Sequence, residues 1–152
     1  MNDNRVIILA AGQGTRLRPH TNEVPKCMVP LHGQPLLYWQ IEAIRSVGID
    51  DIVVVGGYCI EKLTEPGINV ISNPEFETTN MVQSLWCARD YFKDSFIMSY
   101  GDIVFNPDVI SRLLHSTGDI CVVVDKGWKS YWKRRTNDIL SDAESLSLDN
   151  SG

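Results

Sequence analysis

Val6-Ile-Ile-Leu9 is an unbroken apolar run that opens directly into Ala10-Ala-Gly-Gln-Gly-Thr-Arg-Leu17. An apolar run without polar alternation suits a strand covered on both faces, which is the situation in a parallel sheet. Parallel strands need long crossovers, so this one feature already confines the chain to βαβ construction. The small residues that follow let the backbone come close to an anion and turn N–H groups toward it. Arg16 and Lys26 add two positive charges beside that loop.

Two familiar nucleotide loops fit this stretch poorly. A dinucleotide-binding loop needs a third glycine at position 17 and an acid closing the second strand. Leu17 stands at the first place and Val55-Gly56-Gly57 at the second. A P-loop needs Gly-Lys-Ser/Thr at the end of the turn, where this chain has Thr15-Arg16-Leu17.

Further apolar runs predict strands over 5–9, 51–56, 68–72, 95–99 and 119–125. Between them, residues 35–47 place Leu36, Leu37, Ile41 and Ile44 on one helical face, begin with Pro35 and stop at Gly48. Residues 80–92 align Met81, Leu85, Ala88 and Phe92, and Asn106-Pro107 opens a helix over 107–115. Strands alternating with helices predict a mostly parallel sheet covered on both faces, with ligands at the carboxyl ends of its strands. The glycine loop, Gly56-Gly57-Tyr58 and Gly101-Asp102 all fall at such ends.

Leu9-Ala-Ala-Gly-Gln-Gly-Thr-Arg-Leu17, Arg18-Pro19-x-Thr21, Pro25-Lys26, Pro30 and Gly33-x-Pro35-Leu36 together resemble the signature of the nucleotidyltransferases. The likeness extends to sugar-1-phosphate nucleotidylyltransferases and bacterial phosphocholine cytidylyltransferases. It implies a three-layer, Rossmann-like (GT-A-like) α/β nucleotidyltransferase fold, with residues 1–152 as one domain. It also implies transfer of a nucleoside monophosphate from CTP, or another triphosphate, to a small phosphate- or phosphonate-bearing acceptor.

That resemblance assigns roles residue by residue. Lys26 falls on the α-phosphate contact, Arg16 on the β/γ-phosphates, and Asp102 on the first ligand of Mg²⁺, the expected cofactor. Leu9, Ala10, Ala11, Gly12, Gly14 and Thr15 would form the phosphate-binding loop, and Gly57 and Tyr58 would border the base. Asn80 and Ser84 open the helix over 80–92, where Asn80 either reads the base and ribose or simply caps the helix. Trp128, Tyr131 and Trp132 recur at helical spacing and either pack against the sheet or present an aromatic surface to a quaternary ammonium group. Asp142 and Glu144 would strengthen such a cation site, and the segment is similar to that of phosphocholine- or phosphonate-type cytidylyltransferases.

A formal net charge of −5 argues against nucleic acid as the main partner, and no apolar run is long enough for a membrane. The four cysteines form no CxxC pair and share no ligand spacing with the three histidines, so reduced thiols and no zinc are expected. Polar residues 1–4 lead straight into a strand, so no signal peptide is expected and the setting is cytoplasmic. After Leu140 the chain turns polar, and Asp149-Asn-Ser-Gly152 reads like a turn before another strand. The resemblance implies further strands and a second metal carboxylate beyond that point. The expectation is a shortened product, or a form whose open sheet edge needs a partner; self-association into a homo-oligomer stays open. Two rival functions remain at this point: a sugar-1-phosphate enzyme using UTP, dTTP or GTP, and a catalytically incomplete nucleotide-binding module.

Overall fold

The computed structural model describes residues 4–134 and 136–140. The first element is β1 (Arg5–Ala10), in which Val6 through Ala10 are all buried. A short hairpin follows, β2 (Pro30–Leu31) against β3 (Gln34–Pro35), and leads into α1 (Leu36–Ser46). Then come β4 (Asp51–Gly56), β5 (Ile68–Ser72), α2 (Met81–Cys87), β6 (Phe96–Tyr100) and α3 (Pro107–Leu114).

The sheet order is β5-β4-β1-β6, and every pairing is parallel. In register, Arg5 stands opposite Asp51 on one side and Phe96 on the other, so all three strands begin at one level. Strand alternation then divides the apolar residues between two faces. Val6, Ile8, Ile52 and Val54 pack against Leu37, Ile41 and Ile44 of α1 and Ile110 of α3. Ile7, Leu9, Val53 and Val55 meet Ala88, Leu85, Tyr91 and Phe92 on the opposite side. This is the expected three-layer arrangement, and each fully buried Val, Leu or Ile contributes about 1.5–3 kcal/mol.

The helix signals act locally as their chemistry requires. Gly48, at φ 83°, ends α1, and its N–H donates to the carbonyl of Arg45 at 2.9 Å. Pro35 stands one residue outside the helix, because it is already paired with Pro30 in the hairpin. Asn106 accepts from the Asp108 N–H at 3.0 Å and Pro107 occupies the first turn of α3.

Two expectations are corrected. The single helix over 80–92 becomes α2 followed by a separate 3₁₀ turn over Arg89–Tyr91. The bonding tightens there to three-residue steps, Ala88 N–H to Leu85 and Tyr91 N–H to Ala88. Among the described residues the strand expected over 119–125 does not form: no ladder there pairs it, and Ile120, Val122, Val123 and Val124 are exposed. Apolar, β-branched sequence is insufficient without a partner to take its backbone hydrogen bonds. Cys121, within the same run, is exposed with it.

The chain divides after His115 into two compact units. The second contains α4 (Trp128–Trp132), where the Tyr131 and Trp132 rings lie 5.5 Å apart. Among the described residues, no helix is long and apolar enough to cross a membrane.

Candidate functional site

At the carboxyl ends of β1 and β6 lies a cavity of about 230 Å³. Its lining includes Leu9, Ala10, Ala11, Gly12, Lys26, Asn80, Ser84 and Asp102, eight of the residues singled out in the sequence. The first loop, the turn at Lys26, the start of α2 and the end of β6 supply its walls.

Lys26 begins a 3₁₀ turn over Lys26–Met28, with Pro25 extended before it. Its ammonium group pairs with the Asp102 carboxylate, joining the first loop region to the tip of β6. Both side chains are about one-third exposed, so the pair faces the cavity rather than the core. Gly14 supports Lys26 from behind. It sits at φ 65°, and a Cβ there would stand 2.8 Å from Lys26 Cβ. Thr21, fully buried, donates its hydroxyl to the Gly14 carbonyl at 2.9 Å and fixes the bend. Gly12 differs: a Cβ on it would meet nothing within 4 Å, and its φ lies outside the left-handed region. The folded chain therefore has room for a side chain at Gly12, a residue that itself lines the cavity.

Asp102 reaches this position through Gly101. The Gly101 N–H donates to the Leu9 carbonyl at 2.8 Å, and a Cβ at Gly101 would come within 2.9 Å of Ala10 Cβ. On the facing wall, the Asn80 side chain accepts from the N–H groups of Val82 and Gln83 at 3.0 and 3.3 Å. Its oxygen thus serves as the α2 cap while the residue lines the cavity. Ser84 is buried and accepts from Asn73 Nδ2 at 3.0 Å.

The remaining sequence candidates lie elsewhere. Thr15 and Arg16 occupy an exposed 3₁₀ turn, Thr15–Leu17, and do not line the cavity. Gly57 and Tyr58 brace the first loop instead. The Tyr58 N–H donates to Ala11 at 3.1 Å and its hydroxyl to the Asn22 carbonyl at 2.6 Å. A Cβ at Gly57 would be 2.6 Å from Phe76 Cβ, so that glycine admits Phe76. Trp128, Tyr131 and Trp132 share the short helix α4 of the second unit. Asp142 and Glu144 lie outside the described residues.

The cavity also contains Gly101, which the sequence placed at a strand end, and residues to which the sequence gave no site role: Cys27, Phe76, Thr79, Met81 and Tyr100. Phe76 follows Asn73-Pro74, a turn-forming pair that could have drawn attention to this loop. Cys27 sits beside Lys26, and burial pushes its thiol up to about 12. It therefore remains a neutral thiol at physiological pH and offers no thiolate nucleophile.

Among the described residues no three His, Cys, Asp or Glu side chains converge. One carboxylate in an open, anion-receptive cavity is a poor cage for a resident metal. It does suit a hard cation that completes its coordination with phosphate oxygens and water, as magnesium does.

The model of the MobA-like NTP transferase domain matches residues 6–150. The chain belongs to this family. It is 38% identical over 156 aligned residues to a CTP:phosphoglutamine cytidylyltransferase of Campylobacter jejuni, covering 95% of this chain and 61% of that one. It is 32% identical to a choline-phosphate cytidylyltransferase of Streptococcus pneumoniae, over 74% of this chain and 51% of the relative. A solved structure of a CTP:phosphocholine cytidylyltransferase from Streptococcus pneumoniae superposes with a TM-score of 0.63 at 32% identity. That match covers 69% of this chain and 50% of the other. The chain thus spans 61% and 51% of the two curated relatives' lengths.

Proposed function

We propose that this NTP transferase domain moves a nucleoside monophosphate, CMP in the first place, from a nucleoside triphosphate to a small phosphate- or phosphonate-bearing acceptor such as phosphocholine. Pyrophosphate is the second product. The observation that carries this reading is the Lys26–Asp102 pair, which sets a cation and a carboxylate side by side in the cavity under the first loop. The family and its cytidylyltransferase relatives support the choice of CTP.

In this reading an acceptor phosphate oxygen attacks the α-phosphorus in line. The new P–O bond forms as the bond from the α-phosphorus to the bridging oxygen breaks, so no covalent enzyme intermediate is required. Lys26 offsets negative charge on the α-phosphate, and N–H groups of the first loop hold the phosphate chain. Arg16, on its exposed turn, serves the outgoing β- and γ-phosphates with a planar fork of donors. Asp102 would hold magnesium, which when bound lowers the charge between the two anionic reactants. Neutral Cys27 leaves the floor uncharged beside Lys26. A cytoplasmic setting belongs to the same reading and agrees with four cysteines that form no disulfide.

Pyrophosphate release from CTP and phosphocholine, with magnesium present, tests the proposal. Lys26→Ala and Asp102→Ala are each expected to lower turnover by about 10²–10³-fold. Wild-type rates in both variants would sink it. Melting shifts with CTP, UTP, dTTP and GTP separate the cytidylyl reading from sugar-1-phosphate chemistry, since a ligand selective for the native state raises its melting point. A uridylyltransferase from Haloferax volcanii, 30% identical, keeps that second reading open. Tight nucleotide binding without pyrophosphate release would instead favour a nucleotide-binding module over an enzyme.

A further inference from the structure

We infer that Gln40 of α1 is the positioning residue for Asp102, an inference that rests on the metal role proposed for that carboxylate. Gln40 is fully buried, although it shares the apolar stripe of Leu37, Ile41 and Ile44. A core position on a helix that packs under a sheet normally takes an aliphatic side chain. The amide is there because the end of β6 leaves a carbonyl to satisfy. Gln40 Nε2 donates to the Tyr100 carbonyl at 3.0 Å, and Ser99 donates its hydroxyl to Gln40 Oε1 at 3.0 Å. The orientation of the carboxamide follows from chemistry, since a carbonyl oxygen only accepts and must face the NH₂.

The peptide unit between Tyr100 and Gly101 is consequently gripped from two directions. Its N–H is held by the Leu9 carbonyl of β1 and its C=O by Gln40 from the helical layer. Fixing both polar groups fixes the plane of that peptide, and Asp102 is the next residue along. Helix α1 therefore reaches through the core to aim the carboxylate. The conservative substitution at 40 is methionine, which keeps length and apolar packing and deletes only the two hydrogen bonds.

The test is Mn²⁺ binding in the presence of CTP, followed by water-proton relaxation on the full chain, beside thermal melting. Gln40→Met is expected to weaken Mn²⁺ binding about tenfold, the usual effect of losing support behind a ligand. Ser99→Ala, which removes the anchor of the carboxamide and a longer bond of 3.4 Å from the same hydroxyl to the Tyr100 carbonyl, is expected to weaken it severalfold. If Gln40→Met does not fold, Ser99→Ala decides in the same way, and unchanged Mn²⁺ binding in it overturns the role. Asp102→Ala separates the two levels. Mn²⁺ binding that survives Asp102→Ala overturns the metal reading and the Gln40 inference together. Binding lost in Asp102→Ala but unaltered in a folded Gln40→Met overturns the inference alone. A lower melting point with unaltered Mn²⁺ binding likewise reduces Gln40 to a core hydrogen bond.

Discussion

Gly14 is the surface on which the stem of Lys26 rests: a Cβ at position 14 would lie 2.8 Å from Lys26 Cβ and 3.1 Å from its Cγ. These are inner atoms of the side chain and cannot swing away. Gly14→Ala adds left-handed strain at φ 65°, together costing about 1–2 kcal/mol, and displaces the ammonium from Asp102. Urea unfolding is expected to show the loss, and pyrophosphate release a larger fall than stability alone accounts for. Gly14→Ala with full activity would disprove the packing role.

Gly12 makes the opposite prediction, because its added methyl meets no protein atom. Gly12→Ala is expected to leave the melting point unchanged or raise stability by up to about 1 kcal/mol, through the unfolded chain. CTP affinity is expected to fall, since the methyl occupies the space an anion needs against the backbone. Calorimetric titration checks the affinity. An unchanged dissociation constant would place the phosphates elsewhere.

Asn73 is a buried amide that ties down the wall opposite Asp102. It donates to Thr79 at 3.1 Å and Ser84 at 3.0 Å, and accepts from the Glu75 N–H at 3.1 Å. Asn73→Ala leaves those partners short of a bond and is expected to cost about 1–3 kcal/mol. It should also raise KM for the nucleotide more than it lowers kcat, because Thr79 and Asn80 line the cavity while Lys26 and Asp102 stay in place. Equal changes in both constants would count against it.

Asp51 carries the acid sensitivity of the far end of the sheet. Arg5, bonded at 2.7 Å, holds its carboxyl below the ordinary carboxylate range, partial burial opposes this, and Lys93 at 3.0 Å assists. A carboxyl depressed in the folded state adds stability above its unfolded pKa, and that addition is lost as pH falls through the folded value. The urea midpoint should therefore drop on going from about pH 5 to about pH 2, and drop less in Asp51→Asn. Parallel curves for the two proteins would remove Asp51 from the account.

Much of the frame is written in local chemistry. Val6 to Leu9, the Gly48 stop and the Asn106-Pro107 start each carry a short-range rule, and the structure follows them. The run at 119–125 shows where such rules end, because a strand exists only with a neighbour to bond, and sequence does not name the neighbour. The site divides the same way. Lys26 and Asp102 were legible from a spread motif, and the structure pairs them. Phe76 and Thr79 come from a loop without periodicity, so their place was set by Asn73 and Gly57 rather than by any pattern of their own. Gln40 was visible only as a polar interruption in an apolar stripe, and its purpose needed Tyr100 beside it.

The strand order β5-β4-β1-β6 has a mechanical consequence for the tip of β6. Among the described residues β1 is clamped along both flanks and β6 along one, so within them β6 behaves as a cantilever with Asp102 just past its end. A beam held along one side is least constrained at its tip, which is where the carboxylate stands. The strut from Gln40 meets the beam two residues before that load. Stiffness at this site is thus a property of the helical layer as much as of the sheet, and softening α1 would be felt first as a less steady aim at the tip.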